Sequence, residues 1–272
     1  MEVTPIFSRV INDYKKNPKF IVPHAIELIL NFALISAAAL VITMAALALI
    51  PSLTIWDLNA LLHGNVPFIL ISLIVFGALI LVIIITLLGA AARAAIITMA
   101  QESHANGTTD LRSGLKGAKR YAGGVFLYKI LTGLVLLALL VIGAIPFALG
   151  SVFFGVFALI LAFILYLAFY LFVFFTPQFI VAREGGVISG IKDSMEFVEN
   201  NFSSVLIYVA VVIAISLGMA LFINILGLPG IFIENQFLNI AFIIFHSLFS
   251  LGINLVIAPY FDIVKTYMVM EV

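Results

Sequence analysis

Polar side chains set inside long apolar runs are the residues of this chain best placed to do chemistry. His24, Glu27 and Asn31 follow one another at spacings of three and four residues, so on a helix they fall within about 60° of one another, and the same stripe continues as Ala38 and Ala45. Glu27 stands seven residues into an apolar run that begins at Phe20, about 10 Å along a helix. A carboxylate at that depth must face protein or water, because exposure to lipid is strongly disfavoured. A second set comes from later runs: Asn239, His246, Ser250, Asn254 and Lys265 share one face of the last, and Lys129 enters the third at a depth resembling that of Glu27. Lys129 or Lys265 is the expected partner of Glu27. The candidate intramembrane cluster is therefore His24, Glu27, Asn31, Lys129, His246, Asn254 and Lys265. Such groups either line a polar cavity for a ligand or an ion, or bond to one another and hold helices together.

Other chemistries lack their residues. There is no cysteine, hence no disulfide, thiolate nucleophile or iron–sulfur site. The four histidines are scattered, with no His-Glu-x-x-His pattern, no Gly-x-Ser-x-Gly elbow and no Walker-type glycine loop. Gly123-Gly124 and Gly185-Gly186 are expected to break helices rather than cradle phosphate. The sequence reads as a protein that is not an enzyme and uses no metal or cofactor, and a net charge of zero argues against nucleic acid.

The elements that must position these residues follow from composition. The chain has 272 residues, 64% of them hydrophobic and 10% charged, with a mean hydropathy of +1.29. A soluble domain carries about a quarter charged residues, so the chain reads as a polytopic membrane protein. The 53 residues between Lys129 and Arg183 contain no Asp, Glu, Lys or Arg. As one helix they would run about 80 Å, against a hydrocarbon core of about 30 Å, so they are two spans that turn at Pro146, Gly150 and Ser151. Similar turns are expected at Pro51 to Pro67, around Trp56, Asp57 and His63, and at Gly227 to Gln236, around Glu234. Six spans result: about Phe20 to Ile50, Val66 to Ala92, Ala122 to Leu149, Val152 to Ala182, Phe202 to Leu226 and Phe237 to Val264. Only helices satisfy their own backbone in lipid at these lengths. The first nineteen residues are mixed and charged, so no removable signal peptide is expected.

Charge gives an orientation. Every one of the 13 Lys and Arg residues falls on the same side of this map, whereas the opposite loops hold only Asp57 and Glu234. By the positive-inside rule the protein sits in the cell membrane with both termini cytoplasmic.

The cytoplasmic segments are patterned as amphipathic helices. Thr4 caps and Pro5 opens one in which Ile6, Phe7, Val10, Ile11 and Tyr14 are apolar. Leu111, Leu115, Ala118 and Ala122 form the apolar face of the next, capped by Asp110 or Thr109, with Arg112, Lys116, Lys119 and Arg120 as a lipid-contacting basic face. In the third, Val187, Ile188, Ile191, Met195 and Val198 oppose Lys192, Asp193, Glu196, Glu199 and Asn200. Ser113-Gly114-Leu115-Lys116 and Ser189-Gly190-Ile191-Lys192 align at a shift of 76 residues, which also superposes Tyr121 on Phe197 and Phe126 on Phe202. The expected fold is all-α: one membrane domain over 1–272, built as three repeats (about 1–100, 108–182 and 184–272) of an interfacial amphipathic helix plus a transmembrane hairpin.

The stretch Arg183-Glu184-Gly185-Gly186 through Phe197, then Asn200-Asn201-Phe202, resembles a widespread prokaryotic membrane domain that is attached to some glycerophosphodiester phosphodiesterases and is similar to stand-alone archaeal membrane proteins. Asn17-Pro18 with Phe20 and Pro23 resembles the start of that domain's first span. Met195 stands where an aromatic residue is usual there. This chain holds no phosphodiesterase domain, so the resemblance does not imply that activity. Two functions are open: binding or moving a lipid-like or small hydrophobic ligand or an ion between the units, or a non-catalytic scaffold whose basic helices meet anionic lipid, a partner protein or a second copy.

Overall fold

The computed structural model of the protein describes residues 1–49, 68–232 and 235–272. The turn expected at Pro51 to Pro67 and Glu234 lie outside the described residues. Among these the fold is all-α: α1 (Val3–Lys16), α2 (Ile21–Leu49), α3 (Phe68–Asn106), α4 (Leu111–Ala148), α5 (Val152–Val173), α6 (Thr176–Ala182), α7 (Val187–Asn200), α8 (Phe202–Gly227) and α9 (Gln236–Met270), with single 3-10 turns at Pro18–Phe20 and Leu228–Phe232. Six helical stretches are long and apolar enough to cross a membrane: Pro18–Val41, Val75–Asn106, Leu111–Ala148, Val152–Ala182, Phe202–Gly230 and Gln236–Met270. The chain is a multi-pass membrane protein.

Several local expectations change. The segment from Leu111 is not a separate interfacial helix but the first turns of the 38-residue α4. Gly123 and Gly124 lie inside that helix instead of breaking it, since consecutive glycines raise the cost of a helix without removing any of its hydrogen bonds. Thr4 is inside α1, whose N-cap position is Glu2. The turn between α4 and α5 falls where Gly150 supplies a positive φ of 81°, a conformation other residues resist.

The fourth span is broken. Pro177 has no N–H to offer the carbonyl four residues back, so α5 stops at Val173 and α6 restarts with Pro177 in its first turn. Ser194 of α7 closes the gap: its hydroxyl accepts from Phe175 N–H at 3.1 Å and donates to the Phe172 carbonyl at 2.7 Å.

The chain separates into two compact units, residues 1–24 with 90–272, and Ala25–Gly89. The smaller holds the rest of α2 and the first part of α3, in which Thr43 and Thr86 donate their hydroxyls to the carbonyls of Ala39 and Val82. Such bonds keep hydroxyls satisfied in an apolar helix.

In the larger unit, the packed core lies where α1, the end of α3, the start of α4, α6, α7, the start of α8 and the end of α9 converge. Ile6, Val10, Phe20, Met99, Phe175, Val198, Tyr208, Ile263, Tyr267 and Met268 are buried together there. Toward the other end of the spans, Phe153, Phe157, Leu221, Phe245 and Leu248 are exposed, which suits helices bathed in lipid.

α1 lies across α9. One edge reaches back along α9 through bonds from Tyr14 to the Val256 carbonyl (3.0 Å) and from Tyr260 to the Phe7 carbonyl (3.4 Å). The other reaches forward, where the Tyr267 hydroxyl donates to Asp13 at 2.8 Å and Arg9 meets Glu271 at 3.3 Å. Burial pushes the Tyr14 phenol up to about 12, so it stays protonated as a donor. The apolar face of α1 therefore meets protein, with Ile6 and Val10 in the core and only Ile11 of that face exposed.

Two loops meet at Asn17, which is buried. Its amide donates to the Asp13 carbonyl at 3.1 Å and accepts from Thr109 N–H at 3.4 Å. This is the structural role of the Asn17-Pro18 pair. α4 is capped from outside: Glu102 of α3 accepts from Thr109 Oγ1 (2.9 Å), Asp110 N–H (3.1 Å) and Ser113 Oγ, while Asp110 makes no side-chain cap bond. α4 and α7 begin 76 residues apart, and in each a serine hydroxyl, Ser113 or Ser189, lies 2.7 or 2.8 Å from the carbonyl three residues back. The likeness ends there, because α7 stops at Asn200 and α4 runs on.

Candidate functional site

The polar centre of the larger unit is built from one residue of α3 and two of α9. Asp262 and Lys265 occupy one face of α9 at a spacing of three residues and join at 2.7 Å, while Arg93 Nε reaches the other carboxylate oxygen at 3.1 Å. Both oxygens of Asp262 are thus engaged. The Lys265 ammonium also stands 4.5 Å over the ring of Phe174, at the break between α5 and α6, where a cation gains from the ring face.

Aromatic residues enclose this centre. Tyr128 and Tyr170 lie within electrostatic reach of Arg93, Tyr170 stacks on Tyr166 and meets Phe174 edge-on, and the Tyr208 hydroxyl donates to the Phe261 carbonyl at 3.1 Å. Two cations against one carboxylate leave the centre formally +1. Asp262 and Lys265 are buried, but the Arg93 side chain retains 30% of its surface. Its Nε is engaged with Asp262, and among the described residues its two terminal nitrogens have no hydrogen-bond partner. A guanidinium in that state presents a planar pair of donors to a carboxylate or phosphate.

On α6, Gln178 is fully buried and neither atom of its amide is bonded among the described residues; the same holds for the hydroxyl of Thr176. Buried polar atoms left unbonded are costly, and they mark places where a ligand or a water can be held.

The sequence-derived candidates of α9 are spread along that helix. Lys265 belongs to the centre just described. Lys129 is half-buried on α4 beside Tyr128, its carbonyl accepting from Thr132 at 3.0 Å. His246 bonds the Ile223 carbonyl at 2.9 Å, joining α9 to α8, and with Asn239 and Phe242 it lines a cleft of about 310 Å³. Asn254 is exposed and donates back to Ser250 on its own helix. His246 and Asn254 stand about 28 and 16 Å along α9 from Lys265, so this face is not one cluster. His24 is half-buried near the start of α2; Glu27 and Asn31 are half-buried farther along it in the smaller unit.

Arg112, Lys116, Lys119 and Arg120 are all exposed on α4. Arg120 pairs with Glu184, which also accepts from Tyr121 at 3.1 Å. The buried face of this segment is Gly114 and Gly117 rather than Leu115, which is exposed. A Cβ on Gly114 would come within 2.7 Å of Met99 Sδ, and one on Gly117 would collide with Thr98, so the missing side chains let α4 press its backbone against α3. In α7, likewise, Gly190 and Ser194 are buried, whereas Ile188 and Met195 are exposed.

Sequence reasoning missed Asp262 and ended the second span at about Ala92, just before Arg93. Arg93 is interior to α3, which continues through Asn106. The available signal was Asp262-x-x-Lys265 within an apolar run, a spacing that pairs opposite charges on one helix face.

Comparison with curated proteins and with solved structures found no match. The family model described as a domain of unknown function (DUF7847) matches residues 71–258, more than half of the chain, and the chain therefore belongs to that family.

Proposed function

We propose that this membrane protein binds a lipid-like ligand with an anionic headgroup, and that Arg93 receives that headgroup. The observation that carries the reading is Arg93, whose side chain keeps 30% of its surface and whose terminal nitrogens are unbonded among the described residues, held in place by Asp262 and backed by a second, buried cation. A buried excess of positive charge favours a negative guest, and the tyrosines around it supply amphipathic walls suited to the junction of headgroup and acyl chain. Binding, not catalysis, is the role this arrangement supports. The orientation that goes with it has both termini cytoplasmic, supported by the segregation of Lys and Arg. The three-unit organisation is supported by the matched starts of α4 and α7.

Native mass spectrometry of the purified protein with phosphatidylglycerol or phosphatidylcholine tests this. The expected result is preferential retention of the anionic lipid, reduced about tenfold by Arg93→Gln, the loss of one charge-assisted hydrogen-bonded pair. Equal retention of both lipids, or an Arg93→Gln protein that keeps the preference, overturns it.

A further inference from the structure

A different surface carries a second lipid contact. Arg112, Lys116 and Lys119 recur at spacings of four and three on α4 and are all exposed, so they share a face about 60° wide. The opposite face is turned inward by Gly114 and Gly117 against Met99 and Thr98 of α3, which fixes the cationic face outward. Leu115, 65% exposed, borders the same stripe. Unlike Arg120, which Glu184 neutralises, these three cations have no carboxylate within 4.0 Å among the described residues.

The position of the stripe supplies its partner. α4 is continuous from Leu111 to Ala148, and the third apolar span, which contains one charged residue, Lys129, starts at about Ala122. Lys119, Lys116 and Arg112 then stand about 5, 9 and 15 Å before that start. The headgroup region adds about 5–8 Å to each side of the hydrocarbon, and long basic side chains lean toward it. We infer that Arg112, Lys116 and Lys119 form a docking stripe for the phosphates of anionic phospholipids, with Leu115 beside them at the headgroup layer. A row of unneutralised cations there recruits negative lipid charge by charge, and an exposed leucine among cations fits a half-apolar layer.

Quenching of tryptophan by brominated lipid tests this. The protein carries one tryptophan, Trp56, so Leu115→Trp in a Trp56→Phe background places the only indole in the stripe. It is reconstituted in vesicles containing equal mole fractions of brominated phosphatidylglycerol or brominated phosphatidylcholine. The expected result is quenching by both, with a relative association about tenfold higher for phosphatidylglycerol. The preference should disappear in Arg112→Gln/Lys116→Gln/Lys119→Gln and shrink at high salt. Equal quenching by both lipids overturns the inference, as does a preference that survives the triple change. Quenching by neither lipid, with water-like emission, also overturns it and assigns the stripe to a soluble acidic partner. Where Leu115→Trp does not fold, the ratio of anionic to neutral phospholipid that copurifies with the triple variant decides instead: a ratio below that of the unaltered protein supports the stripe, and an unchanged ratio overturns it. Arg93→Gln should leave the quenching preference intact, so failure of the headgroup site and failure of the stripe are separable.

Discussion

Arg93 and Asp262 lie 169 residues apart in the chain and meet at 3.1 Å. This contact joins α3 to α9 in a core made mostly of aromatic and aliphatic side chains, and Lys265 completes it from the next turn of α9. Asp262 is the only member that offsets the other two, so the three positions are not equivalent. Removing either cation leaves a neutral pair, whereas removing the carboxylate leaves two like charges side by side, one of them, Lys265, buried.

The first prediction is an order of stabilities. Asp262→Asn should cost about 3–5 kcal/mol, the usual penalty for stranding buried charge, and Arg93→Gln should cost clearly less because Asp262 keeps Lys265. Arg93→Gln/Asp262→Asn should recover part of the loss. Thermal unfolding in one detergent ranks the variants, and an Asp262→Asn protein as stable as the Arg93→Gln protein would contradict the charge arithmetic.

Ser194 bridges the break between α5 and α6, and both its bonds are made inside the core. Ser194→Ala should destabilise the protein by about 1–3 kcal/mol, since the Phe175 N–H is left buried without an acceptor. Ser189→Ala, which removes an exposed hydroxyl bonded only within its own turn, should cost much less. Denaturation of the two variants side by side measures the difference.

Gln178 places a whole carboxamide in the core without protein partners among the described residues. Gln178→Met, similar in length and free of strong hydrogen-bonding groups, should stabilise the ligand-free protein by about 1 kcal/mol or more. A lower melting temperature for this variant would show that the amide is bonded to a retained water or ligand.

Orientation is open to direct measurement. Reporter fusions after Asn106 and Gly186 should read as cytoplasmic and a fusion after Ser151 as external, because Arg112, Lys116, Lys119 and Arg120 follow the first position, Arg183 and Lys192 flank the second, and no Lys or Arg lies near the third. One reversed position in a folded fusion would require a different topology.

The amino-acid sequence by itself determined the class of the protein, its six apolar spans, the turn at Gly150 and Ser151, though not at Pro146, which stays inside α4, and the matched helix starts at Leu111 and Val187. These are properties of local composition: transfer to lipid is summed along a segment, and turn residues act on their own backbone. It also marked Lys265 as a polar residue of interest. Only the tertiary structure decided that Lys265 meets Asp262 and Arg93, that Gly114 and Gly117 rather than Leu115 form the buried face of α4, and that Ser194 repairs the break at Pro177. Hydrophobic periodicity distinguishes apolar from polar faces, but in a membrane both lipid and protein accept an apolar face. Which side turns inward is settled by how closely two backbones can approach, and which charges pair is settled by which helices become neighbours. Neither is written in the spacing of any single segment.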